Sequence, residues 1–326
     1  MRSYVLSRIG WGLAIILCIL VLNFIIVHMV PGDPVHALLG DFPVPPGYAE
    51  KVRAEFGLDQ PVATQLALYL WNLAHGNLGF SFANRMAVLD LILARLGPTL
   101  LLVLPALFFA SILGVVLGVA AAPRAGTAQD SALTALSLFG YSVPIFWLGQ
   151  MLVIVFAIQL GWLPAQGMKS MREEYEGLDA VLNVLWHLVL PGFSVMIYYT
   201  AVVARVARAS VAEALHHDYV LTARAKGLSR RTILWRHVLP NAIIPVVTVI
   251  GYNFGLSITG AILVETVFAW PGVGSLFITS ITNRDYPVLQ GIFLVVAVAV
   301  VVINMLTDLL YAFLDPRVRT SHESRR

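Results

Sequence analysis

Few side chains in this chain stand in an arrangement that could make or break bonds. His216, His217 and Asp218 lie together, as metal ligands often do. Adjacent histidines do not share a helix face, however, and no second cluster completes a coordination sphere. No metal site is expected. A phosphate-cradling loop needs Gly-Lys followed by Ser or Thr, so that backbone donors and the lysine surround the phosphates. The lysines are Lys51, Lys169 and Lys226, and none follows a glycine. Any ATP hydrolysis must therefore come from another chain. The HExxH and GxSxG patterns of hydrolases are absent. Cys18 is the single cysteine, within an apolar run, so no disulfide framework can be built. The chain reads as non-catalytic, without a cofactor of its own.

The elements that must carry these residues are membrane helices. Of 326 residues, 59% are apolar and 12% charged, and the mean hydropathy is +0.82, values foreign to a water-soluble domain. A bilayer core of about 30 Å needs roughly 20 helical residues. Six stretches qualify: Ile9 to Val30, Thr99 to Ala122, Ser131 to Leu160, Leu188 to Ala204, Ile243 to Val264 and Val288 to Leu314. The first is too long for a secretory signal and lacks a small-residue cleavage site, so it is expected to remain as an anchor.

Cationic loops stay on the cytoplasmic side during insertion. With the N-terminus inside, inner segments carry 14 Lys plus Arg and outer segments 7, which accounts for all 21. The outer loop Gly161 to His187 has two, and the inner segment Arg205 to Asn241 has seven. Both termini are expected inside. The chain then divides into an anchor (1–30), an outer loop (31–98), a core of five spans (99–314) that includes a cytoplasmic loop (205–241), and a tail (315–326). In the outer loop, Val62, Leu66, Leu68, Tyr69, Leu70 and Leu73 fall at roughly helical spacing, which predicts short amphipathic helices there.

Small residues recur every four positions in the second span (Ala110, Gly114, Gly118, Ala122) and in the fifth (Gly251, Gly255, Thr259), a spacing that lets helix backbones approach closely. Pro144 removes a backbone donor from the third span and should bend it. Glu265 ends the fifth span, and Asp308 lies near the inner end of the last with Asn304 one turn before it. Each is a candidate because ionisable groups are costly in lipid, although water or an arginine near the interface would satisfy them.

The richest segment is Arg205 to Asn241. Asp218 to Gly227 reads as a short bounded helix, with Asp218 as N-cap, Lys226 suited to the C-terminal end of the helix dipole and Gly227 as the left-handed stop. Ser229 then caps a second helix carrying Arg230, Arg231 and Arg236 before Pro240. Such an elbow either turns the chain or docks a partner, and the residues alone leave both open.

This stretch resembles the cytoplasmic EAA loop of ABC-importer permeases, whose pattern is EAA, three residues, Gly, nine residues, then IxLP. Anchored on Gly227, Ala223, Leu239 and Pro240 match, while Leu221, Thr222 and His237 depart. The departures are similar to the peptide and nickel branch, in which Tyr219-Val220 precedes Thr222-Ala223-Arg224-Ala225-Lys226-Gly227-Leu228-Ser229. Four other segments agree in order: Pro31-Gly32-Asp33-Pro34, Phe56-Gly57-Leu58-Asp59-Gln60-Pro61, Phe268-Ala269-Trp270-Pro271-Gly272-Val273-Gly274 and Leu314-Asp315-Pro316-Arg317. The chain resembles the first, B-type, of two related permease subunits.

The resemblance implies an all-α membrane protein with the type I importer (MetI-like) permease fold. It also implies a sister permease, two cytoplasmic ATPase subunits that bind ATP and magnesium, and an external substrate-binding protein or lipoprotein. It places ATPase coupling at Asp218, Tyr219, Val220, Ala223, Arg224, Ala225, Lys226, Gly227, Leu239 and Pro240, with Tyr219, Val220, Ala223 and Leu228 expected to face the partner. Di- or oligopeptides are the expected cargo, and nickel chelates, glutathione or an oligosaccharide are the alternatives. Ser142, Asn253, Thr259 and Glu265 are candidates for the path. A secondary transporter should instead show repeats and broken helices with ionisable residues near mid-membrane. No repeat is found.

Overall fold

The computed structural model describes residues 2–29, 45–55, 59–170 and 175–314. The segments Pro31 to Pro34, Phe56 to Leu58 and Asp315 to Arg317 lie outside the described residues.

Helix α1 (Arg2–Met29) opens the chain, followed by α2 (Tyr48–Glu55), α3 (Val62–Ala74) and a minimal antiparallel hairpin of β1 (Phe80–Ser81) and β2 (Met86–Ala87). The long α4 (Val88–Ala121) ends in a 3₁₀ turn, Ala122–Arg124. Then come α5 (Ala128–Ser142), α6 (Ile145–Leu152, continued as a π-helical stretch Val153–Gln159) and α7 (Gly177–Ala214). The last part comprises α8 (Asp218–Ala225), α9 (Arg230–Ile233), a π-helical Leu234–Val238, α10 (Leu239–Val267), α11 (Val273–Thr282) and α12 (Tyr286–Leu314).

Five helices are long and apolar enough to cross a membrane, and α5 with α6 makes a sixth span if the bent pair counts as one. The bend is 97° and sits at Val143–Pro144, where Pro144 becomes the N-cap of α6. The proline thus breaks the third span into two helices. At 1.5 Å per residue, α4 and α7 reach about 51 and 57 Å, so both outrun a bilayer core of about 30 Å and project their ends beyond it.

The small-residue rows work as backbone contacts. A Cβ on Gly114 would lie 2.7 Å from Val203 Cβ, and one on Gly118 would lie 2.6 Å from both Ala204 O and Ala207 Cβ, so α4 and α7 touch along their backbones. Gly251 meets the Thr307 side chain in the same way, which seats α10 on α12. Helix α3 forms where the outer-loop spacing places it. It buries Gln65 and Tyr69 against α1, where Asn23 donates to the Tyr69 hydroxyl and His28 contacts Gln65 Oε1 at 2.9 Å. Arg8 on α1 pairs with Asp308 on α12 at 3.0 Å, so an arginine does satisfy that carboxylate.

Candidate functional site

The elbow between α7 and α10 is built from strong local signals. His217 holds the N-cap position with extended backbone, and Asp218 is the first helical residue, which corrects the expected cap by one position. Asp218 still favours the helix start through its charge. At the other end Gly227 adopts φ +74°, its N–H bonds to Arg224 O at 2.9 Å, and Leu228 N–H reaches back to Ala223 O at 3.3 Å. That pair of bonds is the Schellman closure, which uses the two carbonyls a helix end would otherwise leave bare. The Ser229 hydroxyl accepts from Thr232 N–H at 3.2 Å and so caps α9 as its sequence suggests. Leu239 and Pro240 begin α10 directly after the π-helical turn Leu234–Val238.

Packing reverses part of the expected docking face. Val220 and Ala223, 1% and 4% exposed, point into the permease itself, against Val119, Val211, Ala214, Ile233, Val238 and Ala242. They cannot also face a partner. The residues that turn outward are Tyr219, Leu228 and above all Leu221, which is 68% exposed. Spacing explains this: 220 and 223 share one helix face, and a helix this short stays folded only when that face is packed. Val220 and Ala223 therefore anchor the elbow to the ends of α4, α7 and α10, and Tyr219 and Leu221 are what it presents.

A second feature lies close by in the fold and escaped the sequence reading. Arg208 on α7 grips Asp130, at the start of α5, through Nε and through a parallel NH2 bond of 2.7 Å. The Asp130 carboxylate also accepts from Gly126 N–H at 3.0 Å. Opposite charges at the ends of neighbouring spans were the available signal.

Among the described residues, hydrogen bonds do not bring the path candidates together. Ser142 is exposed at the bend of the third span. Asn253 is buried within α10, and its Nδ2 has no hydrogen-bond partner among the described residues. The side chain of Thr259 lies outside the described residues. Glu265 is fully buried, and this corrects its assignment to a pathway wall. Its carboxylate accepts from the Thr99 hydroxyl at 2.6 Å, from Ser275 N–H at 3.0 Å and from Gly274 N–H. It thereby caps α11, whose N-terminal dipole favours an anion. Gly272 is required there, since any Cβ would collide with the carboxylate. Trp270 Nε1 donates to Pro98 O at 2.8 Å, so the Trp-Pro-Gly-Val-Gly turn is tied to α4 twice.

The adjacent histidines are engaged separately, His216 Nδ1 with Ala212 O at 2.7 Å and the His217 ring stacked on Tyr219. Among the described residues no three His, Cys, Asp or Glu side chains gather as a metal would require.

Residues 114–320 match the family of binding-protein-dependent transport system inner membrane components, and residues 1–103 match the N-terminal part of such membrane components. The chain is 38% identical to the dipeptide transport system permease protein DppB of Escherichia coli (strain K12), over 98% of this chain and 99% of that protein. Identity and coverage are the same for the di/tripeptide transport system permease protein DppB of Pseudomonas aeruginosa (strain UCBPP-PA14). Among solved structures, the inward-facing methionine ABC transporter MetNI matches with a TM-score of 0.55 at 16% identity, over 69% of this chain and 96% of that one, a likeness of fold alone. The chain belongs to the binding-protein-dependent permease family. It is a non-catalytic, multi-pass inner-membrane subunit of an ABC importer with the type I permease fold.

Proposed function

We propose that this subunit forms, with a sister permease, the path by which di- or oligopeptides cross the inner membrane, driven by two partner ATPase subunits and supplied by an external binding protein. The observation that carries the substrate is near full-length identity to relatives named as dipeptide and di/tripeptide permeases. Both termini lie on the cytoplasmic side, as the cation count implies, and residues 205–241 face the ATPases. ATP-driven motion enters through α8: Leu221, Tyr219, Ala225 and Lys226 meet the ATPase, while Arg224 lines the cleft beside it. Val220 and Ala223 pass the movement to α4, α7 and α10, because a packed interior transmits displacement rather than absorbing it.

Ligand identification on the binding protein tests the substrate. The expected result is a short peptide, with labelled dipeptide uptake by the reconstituted complex. A nickel chelate there, and no peptide, would overturn the assignment.

A further inference from the structure

We propose that the cleft between the elbow and the ends of α4 and α7 binds the phosphate headgroup of an anionic phospholipid. Its rim carries Arg224, Arg230 and Arg231, and its floor is apolar, formed by Leu215, Leu228 and Leu234. Among the described residues no acidic one lines it. None of the three guanidiniums has a side-chain partner among the described residues. Gathering three like charges around one recess is unfavourable until an anion enters, and guanidinium forks match phosphate oxygens in pairs.

Depth identifies the source of that phosphate. Pro123, which also lines the cleft, sits in the turn that ends α4, and Leu215 directly follows the last residue of α7. The cleft therefore opens where two spans leave the bilayer, at headgroup level, with leucines positioned to meet the upper part of an acyl chain. Basic pockets between spans on the cytoplasmic side suit anionic lipids. The groove on the other side of α8 contrasts with it, since Glu213 and Asp218 line that one. Leu221, the most exposed apolar residue of the elbow, does not line the cleft, so an ATPase seated on Leu221 leaves room for a lipid beside it.

This inference rests on the reading of residues 205–241 as the cytoplasmic elbow. The test uses the purified, fully assembled transporter in zwitterionic detergent, titrated with phosphatidylglycerol and followed by native mass spectrometry. Each surface arginine contributes about a five-fold preference for anionic lipid, so the Arg230→Gln/Arg231→Gln double variant should lose about 25-fold in affinity. Arg230→Lys/Arg231→Lys keeps the charge and loses the paired fork, so its affinity should fall between wild type and the glutamine variant, which separates lost charge from lost fold. Millimolar inorganic phosphate should leave lipid binding unchanged. Wild-type lipid affinity in the glutamine variant overturns the proposal, and so does displacement of the lipid by phosphate alone. Unchanged lipid binding with loss of the ATPase subunits also overturns it, assigning the arginines to an acidic protein. Lipid affinity is read without turnover, so a failure of the coupling assignment, read in Leu221→Glu uptake, is distinguishable from a failure here.

Discussion

Thr99 Oγ1 on α4 donates a 2.6 Å hydrogen bond to the Glu265 carboxylate and accepts one of 2.8 Å from Val273 N–H, so a single hydroxyl joins α4, α10 and α11. Replacing Thr99 with valine keeps the shape, strands the Val273 N–H and takes one of three hydrogen bonds from Glu265. Each buried group left unsatisfied costs about 1–3 kcal/mol. Thr99→Val should lower the thermal midpoint of the purified complex, and Thr99→Ser should restore most of it. Equal midpoints for valine and wild type would mean that the junction is held by packing alone.

Gly272 faces the same carboxylate with no room for a Cβ. Gly272→Ala must push Glu265 aside, an overpacking cost of about 1–3 kcal/mol. The expected readout is faster proteolysis within the α10–α11 turn. The paired change Gly272→Ala/Glu265→Ala should recover less than full stability, because it leaves the N–H groups of Gly274 and Ser275 without their acceptor.

Much of this architecture is legible from residue order, and what is hidden follows a physical pattern. Bilayer thickness locates the spans, although α4 and α7 run well past it, and the Gly227 stop and Ser229 cap are local chemistry that needs no tertiary information. The orientation of α8 is different. Tyr219, Val220, Leu221 and Ala223 make it apolar on more than one face, so only packing decides which goes inward. The surroundings of Glu265 are hidden for a similar reason. A carboxylate at the end of a span reads as interfacial until Gly272 and Gly274 are seen to fold back over it.

Gly227 has open space around it and a φ of +74°, so a substitution there tests backbone conformation alone. Left-handed geometry costs an L-residue about 1–2 kcal/mol, more for a β-branched one and less for asparagine. Gly227→Val should abolish peptide uptake with normal membrane abundance, and Gly227→Asn should retain much of it. Equal uptake by both would detach the helix stop from coupling.

The two faces of α8 separate docking from anchoring. Leu221→Glu places a charge on the exposed face and should cut ATPase co-purification while leaving the permease folded. Ala223→Glu buries an unpaired charge among Val119, Val211 and Val238 and should lower abundance itself. If Leu221→Glu still retains the ATPases and transports normally, the elbow is only a turn.

Asp285, in the turn between α11 and α12, accepts a hydrogen bond from Ser81 on β1, and burial pushes its carboxyl above the usual range. A raised folded value means that the native state holds the proton more tightly than the unfolded chain. The resulting stabilisation is full below the ordinary aspartate value of about 3.9 and is lost as pH rises through the folded value. Asp285→Asn cannot ionise, so its thermal midpoint should vary less over that acidic window than wild type. Parallel pH profiles would remove Asp285 as the titrating group.

The Arg8–Asp308 pair joins the start of α1 to the last turns of α12, which requires the two chain ends to share one face of the membrane and the number of crossings to be even. Five crossings would separate them, so α5 and α6 together are expected to make one bent span rather than a re-entrant loop. The cation excess predicts that this shared face is cytoplasmic. Helix α7 then runs from outside at Glu176 to inside at Ala214, with Arg231 beyond it. In a Cys18→Ser background, Glu176→Cys should react with a membrane-impermeant thiol reagent in intact cells, and Arg231→Cys should react only after lysis. Labelling in the opposite order would invert the protein. Labelling of both from outside would mean that α7 does not cross, and with it the six-span arrangement would fall.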